Sequence, residues 1–141
     1  MEFVEELLLI KGITPELYFG TEEVPGLSTL VTPYGRDGKV NINTAPPLVL
    51  GALAEGIEPE MVDGMLDYRE AENADLGNPE WYKWAPGFPS DIIIPAAIIT
   101  TSSSYFEIFT EVGVEKMRKK VRCMVARGPG SQTEIMSWKV E

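Results

Sequence analysis

Apolar positions in the first ten residues recur at helical spacing, with Phe3, Val4, Leu7 and Leu8 at i, i+1, i+4 and i+5. Leu48, Val49 and Leu53 form a comparable apolar face, and Val62, Met65 and Leu66 a third, with Arg69 in phase. The spacing predicts helices over residues 2–10, about 46–54 and 59–70. From Thr100 onward the period changes to two. Phe106, Ile108, Thr110 and Val112 alternate with Tyr105, Glu107, Phe109 and Glu111; Val121, Cys123 and Val125 then alternate with Arg118, Lys120, Arg122 and Met124, and Met136, Trp138 and Val140 follow. Gly113 and Gly128-Pro129-Gly130-Ser131 supply turns. Three antiparallel strands are therefore expected within 104–141, with one apolar face that a helix or a partner must cover. The fold class is α+β: a helical part over 1–98, then a small antiparallel β part over 99–141.

The helical part contains a repeat. Lys11-Gly12-Ile13-Thr14-Pro15-Glu16-Leu17 is matched 44 positions later by Glu55-Gly56-Ile57-Glu58-Pro59-Glu60-Met61, and each copy carries a further glycine, Gly20 or Gly64. Each copy reads as helix, tight turn, helix. Gly12 and Gly56 suit the left-handed position that ends a helix, and Pro15 and Pro59 suit the first turn of the next. Thr14 is a much better cap than Glu58. Asn43 and Thr44, just before Ala45-Pro46-Pro47, mark the start of the preceding helix in the second copy.

Two connections remain. Gly26 to Gly38 reads as irregular with at most a short strand, drawn from Leu27-Ser28-Thr29-Leu30-Val31-Thr32. Residues 71–91 form a long loop rich in turn formers and punctuated by Trp81, Tyr82, Trp84 and Phe88. Loops of this length are often functional. These four aromatic residues are candidate partner contacts; the competing account is that the rings fold back over the helical core.

The 141-residue chain has 12 Lys plus Arg against 22 Asp plus Glu, a net charge of -10, and no histidine. The commonest general base near neutral pH and the commonest zinc ligand are thus missing. A single cysteine, Cys123, rules out a disulfide within the chain and reads as a buried small hydrophobe. Charge is uneven: residues 1–100 carry 17 acidic and 5 basic side chains, whereas 101–141 carry 5 acidic and 7 basic. No apolar run reaches the ~20 residues of a spanning helix. Asp63 and Asp67 could pair as carboxylates at i, i+4, but on an exposed helix they read as a solvated face, and no catalytic residue is assigned. The cations Lys116, Arg118, Lys119, Lys120 and Arg122 suggest either an anion patch or, more simply, cross-strand pairing with Glu107 and Glu111.

Three ordered blocks carry a family resemblance: Phe3 through Tyr18, Gly38-Lys39-Val40-Asn41-Ile42-Asn43-Thr44-Ala45-Pro46, and Ser103-Ser104-Tyr105-Phe106. Together they resemble type II secretion system protein K, the large minor pseudopilin of the Gram-negative general secretion pathway. The resemblance implies a pilin-type sheet into which a helical domain of helix-hairpin-helix, SAM-like character is inserted, packed behind a long N-terminal apolar helix. On this reading the chain is a soluble fragment that begins inside the inserted domain, the N-terminal pilin helix being absent. The implied function is structural: a subunit at the pseudopilus tip, periplasmic and anchored to the inner membrane in its full-length parent, supporting protein export across the outer membrane. Proteins I and J and secreted substrates are the implied partners, with no nucleic acid. No cofactor is required; the family uses calcium, for which Glu70, Glu72, Asn73 and Asp75 are the candidate ligands, an ordinary acidic loop being the competing account.

The second copy also resembles a helix-hairpin-helix unit, a motif best known for binding DNA, so a nucleic-acid or adaptor module is the alternative function. Such hairpins offer backbone N–H groups to a phosphate with cations nearby. Here Glu58 adds a negative charge, Pro59 lacks an N–H, and residues 41–70 hold six acidic side chains against Arg69 alone. Phosphate would be repelled.

Overall fold

A computed structural model describes residues 3–35, 37–114 and 117–140, which fall into two units meeting at Ser102 and Ser103. The N-terminal unit opens with a 3-10 helix, Val4–Leu9, rather than the α-helix expected over 2–10, whose first residue lies outside the described ones. None of its residues is buried, and Leu9 is 86% exposed. Without a packed face, a short helix gains little from its own hydrogen bonds. Glu6 Oε1 accepts from the Phe3 N–H at 2.9 Å and closes its first turn.

Both hairpin turns form as their glycines require, with φ of 103° at Gly12 and 86° at Gly56. Thr14 caps α1 (Pro15–Phe19), its hydroxyl accepting from the Leu17 N–H at 3.2 Å. The two copies then diverge. Helix α1 stops at Gly20, whereas α4 (Pro59–Glu70) runs twelve residues over the span expected. Between them lie α2 (Leu27–Leu30), β1 (Val40–Asn41) and α3 (Pro47–Gly51). Helix α2 forms where the sequence reads as an irregular connection with at most a short strand. Leu27 and Leu30 are three apart, and both the N–H and hydroxyl of Thr29 bond the Gly26 carbonyl, so one helical turn satisfies the segment locally. Helix α3 is shorter than 46–54, and Leu50 and Leu53 enter the core while Leu48 stays exposed.

The core comprises Ile42, Ala45, Leu50, Leu53, Val62, Met65, Trp81, Tyr82, Ala85, Ile94 and Ile99. It draws on α3, α4, the long loop and β2 (Ile99–Thr100), which pairs parallel with β1 through Val40 with Ile99 and Asn41 with Thr100. That pairing makes Ile99 and Thr100 part of the helical unit, although the sequence reading assigns them to the β part. Among the described residues of the first repeat copy, only Tyr18 is buried.

The C-terminal unit is a three-stranded antiparallel sheet in the order β3 (Tyr105–Val114), β4 (Met117–Arg127), β5 (Thr133–Val140). Gly113 does not turn the chain; it pairs with Arg118 inside the ladder. Ile108 pairs with Cys123 and Cys123 with Trp138, while Thr110, Val121 and Val140 line up beside them on the same face. A register shift between Met124 and Val125 leaves Met136 outside the pairing and brings Ile135 opposite Val125. A one-residue bulge of this kind shifts the alternation within a strand, so Ile135 joins the face of Trp138. Cys123 and Val125 are buried, but Ile108 is 49% and Trp138 62% exposed.

Candidate functional site

The long loop is built inward from its aromatic residues. A 3-10 turn, Trp81–Trp84, places Trp81 and Tyr82 at zero exposure. Both were candidate partner contacts, and burial corrects that assignment: apolar ring area is worth more against the helical core than in water. Trp81 stacks on Tyr68 of α4 with centroids 5.5 Å apart and planes 8° from parallel. Tyr82 meets Phe88 edge to face at 5.1 Å, and its hydroxyl accepts from the Ile94 N–H at 3.1 Å while lying 3.4 Å from the Ile94 carbonyl as donor. Phe88 is half-buried against the core. Of the four rings, Trp84 is the one left outside, 53% exposed. Beside it Lys83 pairs with Glu80 at 2.7 Å, and this contact raises the lysine's pKa above its ordinary value.

Asn43 ties the loop to the second repeat copy. Its Oδ1 accepts from Trp81 Nε1 at 2.7 Å, and its Nδ2 donates to the Leu76 carbonyl at 2.9 Å and the Thr101 carbonyl at 3.2 Å. One side chain thus joins three segments that lie 33 to 58 residues away. The sequence reading took Asn43 as a helix start, yet α3 begins four residues later and Asn43 bonds across the fold. Its partners are two distant backbone carbonyls and the distant Trp81 indole N–H, which leave no local signature; the local trace is the turn in which the Asn43 N–H donates to Asn41 Oδ1 at 3.0 Å.

Arg69 performs a parallel task from α4. Its Nη1 donates to the carbonyls of Ile42 at 3.2 Å and Ala45 at 2.9 Å, fixing the Asn41–Ala45 turn against the helix. Burial lowers its pKa, yet a guanidinium stays charged at any working pH. The one cation of residues 41–70 is therefore used internally. The exposed side of α4 carries Glu60, Asp63, Asp67 and Glu70. A Cβ built at Gly56 would lie 3.4 Å from Ile92 Cδ1, although Gly56 and its neighbours Glu55 and Glu58 are themselves exposed. The occupied arginine and the acidic helix face both weigh against the nucleic-acid alternative.

Glu70 ends α4, Glu72, Asn73 and Asp75 follow in the loop, and the Asp75 carboxylate already accepts from the Gly77 N–H at 3.2 Å. No three carboxylates come together among the described residues. In the sheet, Arg118 pairs with Glu111 and Arg122 with Glu107, each at 3.3 Å, the cross-strand arrangement that the sequence suggests; Lys116 of that run lies outside the described residues. A shallow apolar groove of about 260 Å³ lies among Val24, Pro25, Leu30, Pro46, Pro47 and Leu48, with Glu23 at its margin. No helix among the described residues is long and apolar enough to cross a membrane.

No curated protein matches the chain. The Asn41–Ala45 turn, both helices of the second copy, Arg69 and the aromatic loop share one continuous segment, and that segment, residues 40–90, is similar to the family model of type II secretion system (T2SS), protein K.

Proposed function

We propose that the chain is the extracytoplasmic part of a structural minor pseudopilin that sits at the tip of the type II secretion pseudopilus. The observation that carries this reading is the sheet of the C-terminal unit. Ile108, Val112, Ile135, Trp138 and Val140 crowd one face and are all exposed. An apolar face of this kind marks a packing surface, and a pilin-type subunit supplies a long apolar helix to cover it. The helical unit, whose core falls almost wholly within the protein K segment, supplies bulk that a further subunit would meet. A subunit so built ends a filament rather than extending it. Its partners are the other minor pseudopilins, proteins I and J, and Trp84 is the exposed ring that this reading assigns to such a contact. The full-length parent is periplasmic and held by its N-terminal helix in the inner membrane.

The test uses that parent in secreting cells. Removing the helical unit through Ser102 is expected to change pseudopilus length and impair secretion. Unchanged length and secretion would refute the tip reading, as would assembly of the intact parent into long homopolymers by itself.

A further inference from the structure

We draw no further inference here: the strongest candidate, the exposed apolar face of the three-stranded sheet around Ile108, Trp138 and Val140, belongs to the surface already described and restates the helix packing that the protein K family implies.

Discussion

Gly64 and Gly51 are both helical glycines, yet opposite signs are expected when each becomes alanine. In an exposed helix interior, Gly→Ala stabilises by about 1 kcal/mol, because alanine has less backbone freedom to lose on folding. At Gly51, in the last position of α3, a Cβ would meet only Val62 Cγ2 at 3.7 Å, an ordinary van der Waals contact. Gly51→Ala should therefore raise stability by roughly 0.5–1 kcal/mol. At Gly64, buried in α4, a Cβ would collide with the Pro86 carbonyl oxygen. That atom is backbone, next to buried Ala85 and to Gly87, whose φ is 75°, so it cannot rotate aside as a side chain would. The loop must lift, and with it the seat of Trp81 and Tyr82. Overpacking of this kind costs about 1–3 kcal/mol, and loosening the buried rings adds to it. A net loss of about 2 kcal/mol or more is expected for Gly64→Ala, or roughly 10 °C in melting temperature for a unit of this size. Thermal melts followed by far-ultraviolet circular dichroism and tryptophan emission would measure both variants. Gly64→Ala melting at or above the parent, or Gly51→Ala losing as much as Gly64→Ala, would refute the close-approach argument.

Three further outcomes follow from the same geometry. Asn43→Ala should cost about 2–4 kcal/mol in urea denaturation, since it leaves the Trp81 indole N–H without its acceptor and removes the donor to the Leu76 and Thr101 carbonyls. Asn43→Asp, which sets a carboxylate against those same two carbonyls, should be no better; a near-neutral Asp variant would contradict the assigned amide orientation. Trp81→Ala should lose about 3–5 kcal/mol, whereas Trp84→Ala should stay within about 0.5 kcal/mol of the parent and, on the proposed tip reading, weaken pull-down of the partner pseudopilins; equal destabilisation would assign both rings to the core. Stability should be flat between about pH 5.5 and 8.5. Glu16 is held below its ordinary 4.5 by a backbone N–H and the Thr14 hydroxyl, so its contribution is complete above that value and fades only as pH falls through the lower folded pKa. Tyr18, pushed above 10.0 by burial, and Lys83, raised above 10.5 by Glu80, contribute below those values and lose it as pH rises through their folded pKa. A step in melting temperature near pH 6–7 would show a titrating group that these shifts do not contain.

Hydrophobic period and turn chemistry were enough to place α4 residue for residue, to mark Gly12 and Gly56 as left-handed turn positions, and to separate a helical part from three antiparallel strands. These features depend on neighbours in the chain: a helix of twelve residues declares itself through its own spacing, and a positive φ needs glycine wherever it occurs. The cross-strand pairs of Arg118 and Arg122 were legible for the same reason, because alternation sets which side chains share a face. What the sequence could not decide was which apolar residues the fold would choose to bury. The aromatic loop reads equally well as a contact surface or as core, and only the stacking of Trp81 on Tyr68 and the hydroxyl clamp of Tyr82 on Ile94 separate Trp81 and Tyr82 from Trp84. Both copies of the repeat likewise read as helix, tight turn, helix, yet among the described residues only the second contributes to the core cluster, since a loop folds back to cover it. Asn43, Arg69 and Gly64 owe their roles to carbonyls 22 to 58 residues away. Contacts of that range depend on the closed tertiary structure, and no local pattern of residues encodes them.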